Sequence, residues 1–456
     1  MQVLDACSPK ELRFVHQQLV QRGSHGVDFL RMLPVELGQQ ILSHLDVRSL
    51  GRAQQASGGG GGGGGGDAAL RARRGRAGAD ARRQAPLWRS VSEAAVVWEA
   101  MLRSLRRGWP DTPAGAPAGG PAGGEPPQLR RLGIADLRRE CRALRAREHT
   151  WRCCRPIRRA LFPHADKVTA LRIRGGVMAS GSYDRMCSVW DVASQRLLHM
   201  FETHTVSCID LAPAHGVVAT GSFNREIRIW QMETGECLQT LTQHVNAVLA
   251  LCMDGDMVFS GGADCLLIAW DWRRGSLAGT FAGHHGKISA VCCARVCGEL
   301  LLFSASFDGT LRCWSTRTFQ CIASARFGQP VLCMDVGDGI IAAGTDQAVV
   351  LIAVKARVDA TGGVAVDLGA RRELQLETSF GRAVHHVALN GRFLAAFGRE
   401  LTVWGLDPPV LHQRLIEGDG LSHGSLAMDS SCVVVGEADG HVVVFDFTPA
   451  RGVSPV

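Results

Sequence analysis

Among 456 residues there is no run of about 18 apolar residues, so no helix is expected to span a membrane. The first twenty residues carry acids and no short apolar core behind basic ones, so no secretory leader is expected. Phosphate-cradle, dinucleotide and HExxH motifs are missing. The longest glycine run, Gly58 to Gly66, is not followed by Lys-Ser/Thr and is no phosphate loop. Sixteen cysteines are present, yet the tight groups, Cys153-Cys154 and Cys292, Cys293, Cys297, lack a second pair at zinc spacing. They are read as buried thiols, and none sits in a catalytic frame with a paired base. No metal, cofactor or catalytic residue is expected.

What is present is unevenly spread. Residues 1–159 hold 27 Lys+Arg against 14 Asp+Glu, and the remainder 23 against 29, which together give the net +7. A basic third invites a nucleic-acid reading. Its arginines, however, lie in Gly/Ala/Arg-biased sequence or along one helix, without the interleaved aromatics of a base-stacking surface. Nucleic acid is therefore set aside as a partner.

The C-terminal two thirds repeats. Trp190, Trp230, Trp270 and Trp314 close four units of about forty residues, a period that implies one supersecondary unit per repeat. Histidines precede them: His164, His204, His244, and either His284 or His285. Between each pair lies an acid or amide at a tight turn: Asp184, Asn224, Asp264, Asp308. Three weaker units follow, around Asp346 with Ala353 in the aromatic place, ending at Trp404 without an acidic turn, and around Asp439 with Phe445. A set that recurs at fixed period is read as packing rather than as a catalytic triad.

These units resemble WD repeats. The resemblance implies an all-β seven-bladed propeller over residues 151–450. It also implies a buried chain within each blade from histidine through Ser/Thr (Ser180, Thr220, Ser260, Ser304) and Asp to Trp, while the degraded blades are left to hold by packing alone. In that family the segment before the first histidine commonly completes the last blade, and Cys154 to Phe162 is the candidate here.

Ahead of the repeats, Leu33, Leu37, Ile41 and Leu45 form one stripe of a helix with Pro34 in its first turn. Leu42 and Leu50 are further apolar members, and Trp88 and Trp98 belong to a later helical stretch. Removing the low-complexity Gly/Arg insert 57–85 joins the two parts. The result resembles an F-box: Leu33-Pro34 with Glu36, spaced leucines, Leu45-Asp46, then two tryptophans. The insert is read as lying within this domain, 28–105, since neither half alone would bury its face. A short N-terminal helical extension (1–27), a Pro/Gly tether (106–128) and a basic helical linker (129–150) complete the plan.

The order resembles F-box/WD-repeat proteins. That implies a non-catalytic substrate receptor of an Skp–cullin–F-box ubiquitin ligase, acting in the cytoplasm or nucleus, with the Skp adaptor, a cullin through it, and target proteins as partners. The adaptor surface would be Leu33, Pro34, Leu37, Ile41, Leu42, Leu45, Leu50, Trp88 and Trp98. Arg185 and Arg225 match positions where related receptors bind phosphate. Tyr183, Phe223 and Phe307 stand where further basic residues would be, which suggests an aromatic rim with few cations. The alternative is a WD-repeat interaction scaffold with no part in ubiquitin transfer.

Overall fold

Short β-branched and small-residue runs such as VVATGS, FLAAF and VVVG suit strands buried on both faces. They become the second strands of seven four-stranded antiparallel sheets. The computed structural model describes residues 134–448 apart from 359–363, 370, 375–383, 399, 407–408 and 417–423. Two compact units divide within helix α1 (Ile134–Cys153), at Ala146, and all packing described below belongs to the second.

The first blade consists of Val168–Arg174, Val177–Ser182, Met186–Asp191 and Arg196–Glu202, and the second of Val206–Ala212, Val217–Ser222, Glu226–Gln231 and Cys237–Thr242. The third begins at Val248, the fourth at Ile288, the fifth at Val331, the sixth at His386 and the seventh at Ser425. The seventh supplies only three strands of its own. Its fourth, Ile157–Leu161, pairs with Val442–Asp446 in the register Ile157 to Asp446 and Leu161 to Val442. The segment expected to close the ring does so, which removes the free edge of an open sheet.

The fifth blade departs from the simple repeat. A two-stranded hairpin, Lys355–Val358 with Val364–Asp367, intervenes before the outer strand Arg371–Leu374 returns to pair with Val349–Ala353.

Adjacent blades are joined by polar staples as well as by apolar packing. The first strand of each of blades one to five has a bulge at its second residue. In three blades that residue is a hydroxyl donating to the first carbonyl of the next: Thr169 to Val206 at 2.6 Å, Ser207 to Val248 at 2.5 Å and Ser289 to Val331 at 2.6 Å. Three residues further along, the inner strands carry Arg172, Asp210, Cys252, Cys292 and Asp335. Asp210 accepts from the Met253 N–H at 2.7 Å, and Asp335 from the Leu389 N–H at 2.7 Å, each across to the following blade. Asn390 of the sixth blade donates to the Asp429 carbonyl of the seventh at 3.0 Å. The degraded blades therefore do not hold by packing alone. They keep inter-blade hydrogen bonds whose donors and acceptors the intra-blade histidine motif does not reveal.

The end of α1 is bound to the sixth and seventh blades. Trp151 is fully buried and stacks on Phe447 with ring centroids 3.9 Å apart and on Phe393 at 5.3 Å. Its indole N–H donates to the Ser430 carbonyl at 3.2 Å. Gln413 donates to the carbonyls of Trp151 (3.0 Å) and Cys154 (2.8 Å), capping the helix end. Glu148, one turn earlier, pairs with Arg152 and Arg392.

Candidate functional site

The tight turn between second and third strands recurs at one end of each blade, beside the histidine loop. In the third blade the expected chain is complete. His244 Nδ1 lies 2.9 Å from Asp264 and Nε2 2.8 Å from Ser260, and the Trp270 indole donates to Ser260 at 2.9 Å. The fourth is complete through His284, which settles the choice against His285: Asp308 at 2.9 Å, Ser304 at 2.7 Å, and Trp314 to Ser304 at 2.8 Å. His285 contributes only its backbone N–H, to Asp308. In the first blade His164 meets Asp184 (3.0 Å) and Ser180 (2.9 Å), but the Trp190 indole N–H finds no partner among the described residues.

The second blade does not form the chain. Trp230 donates to Thr220 at 2.8 Å, yet neither ring nitrogen of the buried His204 has a partner among the described residues. The Thr220 hydroxyl does not reach Nε2, and the Nδ1 partner of the other blades, an aspartate, is here Asn224. Its Oδ1 accepts from the Glu226 N–H and its amide donates to the Glu226 carboxylate, both at 3.3 Å, so it stays within its own turn.

Burial sets the titration of these groups. It lowers the His164 and His284 pKa values against the pull of Asp184 and Asp308, and, with the nearby Arg228 charge, takes His204 down to about 4. Burial works against the Asp308 carboxylate too, but hydrogen bonds from Thr310, His284 and the His285 N–H outweigh it and hold the group below the usual carboxylate range. For histidines whose folded pKa lies below the unfolded one, the unfolded chain takes up protons first. Stability is then lost as pH falls from about 6.5 toward 4, by about 3 kcal/mol for His204 alone. Asp308 adds a further loss below about pH 4, because its carboxylate is favoured only in the fold. Urea midpoints at pH 7.5 and 4.5 should differ accordingly, and His204→Gln should flatten the slope. An unchanged midpoint would mean that these rings take up protons freely inside the blades.

The residue after the turn acid or amide is left-handed in each of these blades: Arg185 (φ 67°), Arg225 (φ 77°), Cys265 (φ 66°) and Gly309 (φ 74°). Only the fourth uses glycine, and there a Cβ would lie 3.1 Å from the Gln329 carbonyl oxygen. Two arginines thus occupy a conformation that side chains disfavour. Such strain often marks a site of use.

The first and second blades flank an open cleft of about 690 Å³ at this end, lined by Tyr183, Arg185, Glu202, Thr203, His204, Thr205, Phe223, Asn224 and Arg228. Tyr183 and Phe223 form its lip, with rings 5.8 Å apart. Three of the five residues assigned to a target face from sequence meet here, whereas Arg225 and Phe307 lie outside the cleft. Phe307 is nearly half exposed on its own turn. Thr205, Glu202 and Arg228 were not singled out. His204 and Asn224 were, but as a structural pair, and the signal that separates them is the Asp-to-Asn change at the turn.

The adaptor residues Leu33 to Leu50, Trp88 and Trp98 lie outside the described residues. The cysteine reading needs correction. Cys292 is buried, but Cys153 and Cys297 are exposed and Cys154 and Cys293 only partly covered. Cys153 ends a helix and Cys297 takes φ 52° at a strand turn, where its thiol touches the Ala356 carbonyl of the fifth-blade hairpin. Burial pushes Cys208, Cys313 and Cys333 up to about 12, as unreactive thiols require. Among the described residues Glu437, Asp439 and His441 alone could converge on a metal ion, with ligand atoms within 4.8 Å. His441 already meets Asp439 at 2.9 Å. No helix among the described residues is long and apolar enough to cross a membrane.

The WD40 family (WD domain, G-beta repeat) matches residues 155–191, 195–231, 235–271 and 275–315, the four strongest repeats, each starting with the outer strand of the preceding blade. No curated protein matches the chain. A crystal structure of the computationally designed Ika8 protein is 23% identical with a TM-score of 0.49, covering 63% of this chain and 98% of that one.

Proposed function

We propose that this chain, a seven-bladed propeller carrying WD40 repeats, is the non-catalytic target-binding subunit of an Skp–cullin–F-box ubiquitin ligase. A closed ring with exposed aromatic and cationic side chains on adjacent turns is suited to binding proteins, and Tyr183, Arg185 and Phe223 around one cleft are the observation that carries the target-binding role. The ubiquitin role rests on the resemblance of residues 28–105 to an F-box. The stretches from Thr203 and Ala219 also resemble F-box/WD repeat-containing protein 2. In this reading the F-box stripe docks on the Skp adaptor and, through it, on a cullin. The propeller holds a target, and ubiquitin comes from a separate conjugating enzyme. Its contribution to rate is proximity, a raised effective concentration of acceptor lysine near the charged enzyme. Work of this kind belongs in the cytoplasm or nucleus, where those partners operate.

Purifying the full-length protein from cells should bring the Skp adaptor with it. Leu37→Asp or Ile41→Asp should lose the adaptor, because a charge placed in an apolar docking stripe is buried without a partner. Retention of the adaptor by both variants, or no adaptor with the unmodified protein, would leave the WD-repeat scaffold reading, which the repeats support by themselves.

A further inference from the structure

The cleft between the first and second blades presents buried polar groups without partners among the described residues. His204 is 7% exposed and lines the cleft, with both ring nitrogens unpartnered among the described residues. The Arg228 Nε–H is likewise buried and unpartnered, while its Nη2 holds Glu226 at 2.8 Å. Buried polar groups are paired in the great majority of folded proteins, and an unmade bond costs a desolvation penalty. In the first, third and fourth blades the turn aspartate fills this place, and it also accepts the backbone N–H after the histidine: Ala165, Val245 and His285, each at 3.0 Å. In the second blade the carboxylate is missing from the chain while the histidine, the arginine and the surrounding space remain. The gap therefore has the chemistry of a carboxylate.

The surroundings fix the charge and the flanks. Arg185 lines the cleft with no side-chain partner among the described residues, and Arg228 shares its charge with Glu226. Glu202 stands exposed at the edge. With Arg228 already paired to Glu226, Arg185 is the one guanidinium at the cleft left without a side-chain partner among the described residues, which suits a single negative charge rather than the nearly two of a phosphate group. Tyr183 and Phe223, 39% and 44% exposed, offer an apolar lip beside it.

We propose that this cleft takes the side-chain carboxylate of an aspartate or glutamate, next to an apolar residue, from an extended segment of a target protein. The carboxylate replaces the missing turn aspartate, accepting from His204 and Arg228, while Arg185 closes over it and the neighbouring apolar side chain rests on the two rings. The inference depends on the receptor reading only for the target's fate, not for the binding itself.

The test uses immobilised full-length protein and pools of degenerate nonapeptides with apolar-biased flanks. The central position is fixed in turn as Glu, Gln, phosphoserine or Lys. The Glu pool should be retained about ten-fold or more over the Gln pool, the scale of a lost charge-assisted hydrogen bond. Asn224→Asp is the informative variant. An aspartate there would satisfy His204 from within, so thermal stability should rise while retention of the Glu pool falls to the Gln level. Arg185→Glu should lose the Glu pool with stability unchanged. Equal retention of Glu and Gln, preference for phosphoserine, no retained pool, or undiminished Glu retention by Asn224→Asp would each overturn the proposal. Loss of the adaptor with Glu selection intact would remove the ligase role and leave the cleft assignment standing. The reverse result would do the opposite.

Discussion

Trp151→Ala should destabilise the propeller by about 3–5 kcal/mol, the range for deleting a fully buried large aromatic. The side chain sits between Phe447 and Phe393, and both rings would face a cavity that rigid strands cannot fill. The position also controls closure. Only three residues separate the end of α1 from the strand Ile157–Leu161 that completes the seventh blade. Untying the helix end frees that strand to fray from Val442–Asp446, re-exposing an edge. The urea midpoint should therefore fall, and limited proteolysis should cut first near residues 154–162. Trp151→Phe keeps most of the stack and loses only the bond to the Ser430 carbonyl, so it should cost about 1 kcal/mol. If the alanine variant melts like the parent and resists protease equally, the ring closes without this anchor.

Trp151 shows where sequence reading stops. The four strong repeats were legible because a His, a turn acid or amide and a Trp recur at fixed spacing, and in the third and fourth blades all of them bond within their own blade. Closure by residues 157–161 was legible only through the family resemblance, in which the segment before the first histidine commonly completes the last blade. Trp151 has no periodic companion. Its partners, Ser430, Phe393 and Phe447, lie more than 240 residues away, and nothing local marks it. The hairpin inserted in the fifth blade was hidden in a similar way, because its strands pair with each other and leave no trace in the repeat. At the cleft, sequence supplied Tyr183, Arg185 and Phe223 from their place at the turns. Asn224 was visible as an exception, but its consequence was not. Whether an asparagine still reaches the histidine depends on the turn, and here its side chain goes to Glu226.

Asp210→Ala should cost about 3–5 kcal/mol as well, through charge rather than packing. Asp210 is fully buried and lies 3.2 Å from both Arg172 and Arg174 of the first blade, while accepting from the Leu211 and Met253 N–H groups at 2.9 and 2.7 Å. One carboxylate thus ties three successive blades together. Burial works against the Arg172 charge, yet Asp210 and Asp335 more than offset it and raise its pKa. Without Asp210 those guanidiniums cannot simply give up their protons. Arg174 keeps its bond to the Met253 carbonyl at 2.9 Å and Arg172 keeps the attraction of Asp335, but both lose their direct carboxylate partner. Asp210→Asn separates the two contributions: it retains an acceptor for one backbone N–H but removes the charge, so it should recover little of the loss. Replacing the set with apolar side chains, Arg172→Met, Arg174→Met and Asp210→Leu together, should recover most of it, because breaking a buried pair costs more than substituting the whole of it. Urea midpoints of the three variants decide the matter. A triple variant no more stable than Asp210→Ala would show that the backbone acceptors, not the charges, hold the first three blades in register.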